Sequence, residues 1–418
     1  MVETITISKP VLANGREWVD SHNHIRGINN RLELIRNDPS LSEHNKNILS
    51  EYCRSMAKKS PATIIKNMQV VHKFLKDIGK DMGDSITKED SDEYYLNLIN
   101  NPDLKPWTLK KYLLCIRRFF RVHYGLKTGR YPDQVDHWDT NIDTKQYLDP
   151  DLLPTQMQIK DAIESCNNMG NLLESRNQLL IAMLNDLGCR IAELLAVNVG
   201  DIKEINHDGL DLFLVKFSQS KTFPRTVVSL LSRPYLKKCF ALRGITKDTI
   251  SEKANEPLFL DRNKKRMEYR AVTKFVSRAF ARINYKFPHY KNVHLLRHCW
   301  ITRAGEYFKF AQKNYWCGQS GGHVSSIYTH FNWKNVVKPY LEMIVGEKNP
   351  MLLIKCSACG FENSGKEFCV KCGSNLTEIN AVNKDNAVQV FKNFAQNMTQ
   401  EEFDKYLLRL INKNRGFT

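Results

Sequence analysis

The sequence lacks any continuous run of about eighteen apolar residues, the length that a helix needs to cross a membrane. Its first ten residues, MVETITISKP, contain neither the basic start nor the apolar stretch of a secretory signal. Both absences argue against a membrane protein and against export by such a signal. We therefore expect an intracellular chain with no membrane partner.

The 418 residues include 11 cysteines, but most of them are not spaced as a disulfide framework would be. Seven of them stand singly in apolar or helical surroundings, which is typical of reduced core residues in an intracellular protein. These seven are Cys53, Cys115, Cys166, Cys189, Cys239, Cys299 and Cys317. The remaining four form one short cluster near the C-terminus, which is described last.

Acidic residues are fewer than basic ones. The sequence has 45 Asp and Glu and 62 Lys and Arg, which gives a formal net charge of +17. An excess of this size favours a polyanionic partner, and nucleic acid is the leading candidate. Residues 105–130 contain eight Lys or Arg and no acid, interleaved with aromatic residues. The candidate DNA contacts there are Lys110, Lys111, Arg117, Arg118 and Arg121. A basic helix face that is merely solvated is the alternative.

The chain length predicts two large domains and a small appendage. Residues 20–125 are predicted to be a helical domain. One of its helices starts at Ser60 and Pro61, and another at a capping box formed by Thr87 and Asp90. A further helix is predicted in PWTLKKYLLCIRRFFRVHYG. Residues 126–154 lack periodicity and are rich in Asp, Thr and Pro, which predicts an interdomain linker.

Residues 155–350 are predicted to form a second, mostly helical domain with a small antiparallel sheet. A helix should end at Gly188, with another beginning at once, and helices are expected over 270–283 and from about His294 to Phe308. The segment LDLFLVKFSQSKTFPRTVVSLL is the convincing strand pair, because β-branched and apolar residues flank a polar turn.

Five residues of this second domain can do chemistry together, although each one alone is a weak signal: Arg190, Lys221, His294, Arg297 and Tyr328. A phosphodiester gathers negative charge on its non-bridging oxygens as it is attacked, and guanidinium groups are matched donors for that charge. A lysine can protonate the leaving oxygen, and a tyrosine hydroxyl can attack once its proton is removed. The set therefore suits phosphodiester cleavage without a catalytic metal.

Four segments in this order and spacing resemble the tyrosine recombinases, also called phage integrases: LGCRIAELLAVNVGDI, SKTFPRTVV, HLLRHCWITRAGEYF and WCGQSGGHVSSIYTHF. The resemblance implies a SAM-like core-binding domain before the catalytic domain. It implies that Arg190, Lys221, His294 and Arg297 are catalytic, and that Tyr328 forms a 3′-phosphotyrosyl link. No catalytic metal or nucleotide is implied.

The resemblance further implies a site-specific DNA recombinase of a mobile genetic element, acting on double-stranded DNA in the cytoplasm, in association with the nucleoid. A homotetramer on paired DNA sites is the expected assembly. Two alternatives stay open at this point. One is DNA relaxation like that of a type IB topoisomerase, and the other is a catalytically weakened DNA-binding regulator of the same fold.

One position departs from the family pattern. Family members usually carry His or Trp nine residues before the tyrosine, where this chain has Gln319. Glutamine can donate a hydrogen bond to a phosphate oxygen but does not titrate near neutrality. His323 is the alternative source of this contact, and Gln319 is preferred by position.

The last cluster, CSACGFENSGKEFCVKCG, contains two CxxC pairs separated by nine residues. This spacing predicts a structural zinc site over residues 354–376, whose ligands are Cys356, Cys359, Cys369 and Cys372. Disulfide pairing is the alternative. Similar zinc ribbons occur in archaeal members of the resembled family, so an archaeal or archaeal-virus source is expected. Residues 384–414 are predicted to form two amphipathic C-terminal helices.

Overall fold

The computed structural model describes residues 12, 15–83, 85–144, 150–166, 171–207, 210–287, 292–319, 332–346, 353–355 and 362–364. The chain divides into a first unit, residues 1–148, and a second unit, residues 149–418. None of the helices in these described ranges is long and apolar enough to cross a membrane.

The described part of the first unit contains five α-helices, and their starts follow the local sequence. The Ser60 hydroxyl accepts a hydrogen bond from the Thr63 backbone N–H, and Thr87 and Asp90 form a reciprocal capping box, as predicted. The helices are α1 His24–Arg36, α2 Glu43–Ser55, α3 Pro61–Ile78, α4 Lys88–Ile99 and α5 Pro106–His123.

Helix α3 provides the centre of this unit's core. The ring of Phe74 packs edge-on against Tyr94 of α4 at 5.0 Å and against Phe120 of α5 at 5.6 Å, measured between centroids. All three side chains are buried. Aromatic contacts of this kind join helices that are distant in sequence, so the predicted helical pattern becomes one core.

The stretch predicted as a linker differs from that expectation over residues 126–144. Val135 and Trp138 are buried in the core of the first unit, and Trp138 stacks on the ring of Tyr95 at 5.3 Å. Arg117 of α5 donates hydrogen bonds to the carbonyl oxygens of Trp138, at 3.3 Å, and Asp136, at 3.1 Å. Burial of two apolar side chains, rather than any periodicity, folds this segment onto the unit.

We expect the substitution Trp138→Ala to lower the free energy of unfolding of the first unit by about 3–5 kcal/mol, as for a buried Trp. Trp107→Ala is the matched control, because that side chain is 57% exposed and its loss should cost less than about 0.5 kcal/mol. Urea unfolding followed by far-UV circular dichroism measures both changes. Equal, small effects at the two positions would restore the linker interpretation for this segment.

The described part of the second unit combines helices with a three-stranded antiparallel sheet in the order β1, β2, β3. The predicted strand pair is confirmed, and the sheet has one strand more than predicted. The strands are β1 Ile202–His207, β2 Leu210–Phe217 and β3 Arg225–Ser229. The helices are α6 Gln156–Glu164, α7 Asn171–Leu187, α8 Ile191–Leu195, α9 Arg233–Leu242, α10 Tyr269–Arg282, α11 Asn292–Ala304, α12 Phe310–Cys317 and α13 Lys334–Gly346.

Some predicted bounds shift in the structure. Helix α7 ends just before Gly188, as predicted, but α8 has only five residues. Helix α11 begins at Asn292 and ends at Ala304, earlier at both ends than expected. Two short strands, β4 Leu353–Lys355 and β5 Glu362–Ser364, pair in antiparallel register.

A column of aromatic rings holds the helices of the second unit together. Trp300 of α11 stacks on Trp316 of α12 at 5.2 Å, and Trp316 stacks on Tyr340 of α13 at 4.8 Å. Gly188 has a φ of +53°, and a Cβ there would lie 2.5 Å from the ring of Trp300. Glycine thus permits both the left-handed turn after α7 and the close approach of α11. The turn leads directly into the candidate site.

Candidate active site

Arg190 follows this turn and occupies the N-cap of α8. Its backbone N–H donates to Glu193 Oε2 at 2.9 Å, and its Nη1 donates to Glu193 Oε1 at 3.1 Å. The same Nη1 donates to the carbonyl oxygen of Gly318 at 2.7 Å. Glu193 therefore orients Arg190, while 26% of the Arg190 side chain remains exposed.

Arg225, the first residue of β3, is the second guanidinium bound to Glu193. Its Nη1 and Nη2 donate to the two carboxylate oxygens at 3.1 and 2.9 Å, which is a bidentate pair. Its Nε donates to the carbonyl oxygen of Trp316 at 2.7 Å. The Arg225 side chain is completely buried, so it acts on the site only through its protein partners.

Burial on its own would raise the pKa of Glu193. The charge of Arg225 and the hydrogen bonds from Arg225, Ser220 and the Arg190 backbone outweigh it and lower that pKa to about 2. Glu193 is thus an anion at neutral pH, surrounded by cations.

Lys221 lies in the turn between β2 and β3 and is exposed. Its two neighbours are anchored to the site. The Ser220 hydroxyl donates to Glu193 Oε1 at 2.7 Å, and the Thr222 hydroxyl donates to the Gly318 carbonyl at 2.9 Å. The turn is thus fixed on both sides of Lys221, and the lysine remains accessible.

Arg297 lies in α11 and is only 3% exposed. Its Nη1 donates to the carbonyl oxygen of Gly188 at 2.9 Å, and its buried Nη2 has no hydrogen-bond partner in the described part of the chain. Burial lowers the pKa of Arg297, and the nearby charge of Arg190 acts in the same direction. The guanidinium nevertheless stays protonated. It therefore offers an unused donor and a positive charge near Arg190.

His294, one turn earlier on α11, is exposed, and its ring meets that of His298 edge-on at 5.0 Å. Gln319 is half-buried, and its backbone N–H donates to the Asn314 carbonyl at 2.9 Å. It directly follows Gly318, whose carbonyl binds Arg190. Tyr328, His323 and the cysteines Cys356, Cys359, Cys369 and Cys372 lie outside the described residues, as do residues 384–414.

The predicted DNA contacts on α5 divide into two groups. Lys110 donates to the carbonyl oxygen of Ile142 at 3.2 Å, and Arg117 lies over the ring of Tyr131 at 4.0 Å. These two side chains are therefore engaged inside the first unit, a use that the sequence did not predict. The other three, Lys111, Arg118 and Arg121, are half-buried on the same helix.

Sequence reasoning missed Arg225, Ser220, Thr222 and the Gly318 carbonyl. Arg225 carried a usable signal, because it shares an inward-facing side of β3 with Val227 and Ser229. An arginine at such a position requires a buried acceptor. No signal in the sequence pointed to the Gly318 carbonyl, because its contacts depend on the left-handed turn that ends α12.

The chain is similar to a known protein family in sequence and to solved structures in fold. Residues 154–308 match the family model described as the phage integrase family. This range contains the segments of Arg190, Lys221, His294 and Arg297, so the similarity to this family covers four of the predicted site residues. No curated protein matches the chain.

Several solved structures are similar to this chain. The XerH site-specific recombinase bound to difH substrate, in a pre-cleavage complex, has a TM-score of 0.50 at 16% identity, covering 77% of this chain and 97% of the other. A lambda integrase tetramer bound to a Holliday junction has a TM-score of 0.49 at 15% identity, covering 72% and 82%. At such identities, the XerH likeness shows the fold alone.

The low pKa of Glu193 predicts a pH-dependent contribution to stability. The folded pKa of about 2 lies below the ordinary 4.5, so the stabilisation is full above about pH 4.5 and is lost as the pH falls toward 2, by about 3 kcal/mol. We expect the free energy of unfolding of Glu193→Gln to fall less steeply over that range. Chemical denaturation at several pH values measures the slopes, and Glu164→Gln, an exposed carboxylate, is the control. Identical slopes for wild type and Glu193→Gln would contradict the assigned pKa.

Proposed function

We propose that this chain is a site-specific DNA recombinase that cleaves and rejoins DNA strands through a 3′-phosphotyrosyl intermediate on Tyr328. The observation that carries the proposal is that Arg190 and Arg297 lie near each other, and that a buried donor of Arg297 has no hydrogen-bond partner among the described residues. A buried guanidinium donor such as that of Arg297, with no partner among the described residues, suits a phosphate group. The match of residues 154–308 to the phage integrase family model supports the same reaction class.

In this proposal, Arg190 and Arg297 bind the non-bridging oxygens of the scissile phosphate and stabilise the charge that develops there. Tyr328 attacks phosphorus, and its proton passes to a neighbouring base, for which His294 is the candidate. Lys221 protonates the leaving 5′-oxygen from the exposed turn. The phosphotyrosyl bond conserves the free energy of the phosphodiester, so the 5′-hydroxyl of a partner strand reverses the step without a catalytic metal or nucleotide.

Double-stranded DNA is the proposed partner. The chain's net charge of +17 favours it, and the structurally similar XerH recombinase is described as bound to a difH substrate. Lys111, Arg118 and Arg121 on α5 are the remaining candidates for backbone contacts. A homotetramer on paired DNA sites follows from the family resemblance.

A weakened DNA-binding regulator of the same fold is the second candidate, and Gln319 is the observation that favours it. Where the family usually has His or Trp, glutamine offers the phosphate a hydrogen bond but no titratable group. The backbone of Gln319 lies next to the Arg190 contact, so its side chain is the candidate for the phosphate contact. Cleavage by the wild-type protein distinguishes the two candidates.

A nicked suicide substrate, which loses a short fragment after cleavage, traps the proposed intermediate. We expect wild type to become covalently attached to DNA and Tyr328→Phe to form no adduct, since the nucleophilic oxygen is absent. Arg297→Ala should lower attachment by at least about 100-fold while DNA binding in a gel-shift assay persists. Tyr307→Phe, a tyrosine outside the site, should react like wild type. Attachment of Tyr328→Phe at the wild-type rate would sink the assignment, and no attachment by wild type would favour the regulator.

We also propose a structural zinc ion held by Cys356, Cys359, Cys369 and Cys372. In the sequence, the first CxxC pair falls between β4 and β5, which pair with each other in antiparallel register. Filling all four positions with thiolates gives the zinc a structural role.

Metal analysis of the purified protein should find about one zinc per chain, as a single four-thiolate site requires. Cys359→Ser should reduce that content strongly, whereas Cys53→Ala, at a buried cysteine of the first unit, should leave it unchanged. Chelation followed by thiol titration should expose four additional thiols. Finding disulfides in place of zinc would support the alternative that the sequence left open.

A further inference from the structure

Arg225 is the residue on which the described parts of the site converge. It joins β3 to α8 through Glu193, and to the end of α12 through the Trp316 carbonyl. A fourth hydrogen bond, from Nη1 to the Ser220 hydroxyl at 3.4 Å, reaches the turn that carries Lys221. Three separate segments of the chain thus meet at one buried guanidinium.

We propose that Arg225 is a positioning residue, which fixes Arg190 through the carboxylate of Glu193 and so sets the cleavage rate. This inference rests on the proposed recombinase function and deepens it. The Arg225 side chain is fully buried, and its hydrogen-bond partners are protein groups, so we do not expect it to contact the phosphate itself.

The sharing of Glu193 explains how one arginine acts on the other. Oε1 accepts from Arg190 Nη1 and Arg225 Nη1, while Oε2 accepts from the Arg190 backbone and Arg225 Nη2. The guanidinium of Arg225 therefore holds both oxygens of the carboxylate, and the carboxylate in turn fixes Arg190. Lysine at position 225 would keep the charge but lose this two-point geometry.

Gly318, at the end of α12, also supports a positioning role for Arg225. With φ at +58°, it ends α12 in the left-handed region, and a Cβ there would lie 2.4 Å from Arg225 Nη1. Its carbonyl then accepts from Arg190 at 2.7 Å. Arg225 therefore helps to position both hydrogen-bond partners of Arg190, which are the Glu193 carboxylate and the Gly318 carbonyl.

The first test compares Arg225→Lys with Arg243→Lys. Arg243 is a matched control in the same unit, because it also joins a carboxylate, Glu256, to backbone carbonyls, those of Pro257 and Leu258. We expect Arg225→Lys to lower the single-turnover cleavage rate at saturating DNA by about 100-fold, the cost of a displacement near 1 Å. DNA affinity should stay within about twofold, well under the tenfold that 1.4 kcal/mol would give. Arg243→Lys should lose stability and keep its rate, and equal rates for both variants would overturn the proposal.

The second test asks whether Arg225 acts through Arg190. If so, Arg225→Lys should add little to the defect of Arg190→Lys, because the group that it positions is already changed. Independent defects would multiply, and that result would overturn the proposal. A crystal structure of Arg225→Lys gives a readout that needs no activity. The Arg190 Nη1 to Gly318 oxygen distance should exceed hydrogen-bond range, and an unchanged 2.7 Å would also count against it.

Loss of the Arg225 charge alone can prevent folding, because the buried Glu193 would lose its bidentate partner and keep only the partly exposed Arg190. The double variant Glu193→Gln with Arg225→Gln avoids this problem, since it removes both charges and keeps a polar contact. It should fold, bind DNA and cleave at least about 100-fold more slowly than wild type; wild-type cleavage by this folded variant would refute the proposal. Wild type forming no adduct would instead count against the recombinase assignment, and the crystallographic distance would still test Arg225.

Discussion

The buried pair between Glu193 and Arg225 is the constraint on which the arrangement of the site depends. Burying two opposite charges gains little stability, because the desolvation cost offsets much of their attraction. What the pair supplies is geometry. Its two carboxylate oxygens bind five donors from Arg190, Ser220 and Arg225. Because the guanidinium holds both oxygens of the carboxylate, the carboxylate determines where its other donors lie. These donors belong to Arg190 and to Ser220, which precedes Lys221 in the turn.

The strand that carries Arg225 is itself fixed at its other end. Ser229 donates to the buried carboxylate of Asp186 at 2.8 Å, and Tyr340 of α13 donates to the same carboxylate. Burial raises the pKa of Asp186, against the hydrogen bonds that it receives. Because Tyr340 also stacks on Trp316, the aromatic column and the polar network lock the same elements. The carbonyl that receives Arg225 Nε therefore sits at a defined place.

Local sequence rules accounted for elements whose signals are local. Capping at Ser60 and Thr87 and the strand pair on either side of Lys221 follow from side chains a few residues apart. Strand β1 was missed because its residues IKEINH, of which only the first is buried, show no clear alternation. Trp138 was missed for a related reason, since only contacts with α4 and α5 reveal its burial. At the site, residue types and order pointed to Arg190 and Arg297. The role of Arg225 needed the fold, because Glu193 is 32 residues away.

The charges of the described site residues do not balance one another. Arg190, Arg225 and Arg297 bring three positive charges to one neighbourhood, and Glu193 neutralises one of them. Two positive charges are thus in excess among these groups, one of them almost completely buried. Burial lowers the pKa of Arg297, and repulsion from Arg190 lowers it further. Stability alone does not favour such an arrangement. A phosphodiester would restore the balance on binding, and the added negative charge of its transition state would match the second cation. In the proposed function, the Arg297 donor that has no partner among the described residues would bind that phosphate group.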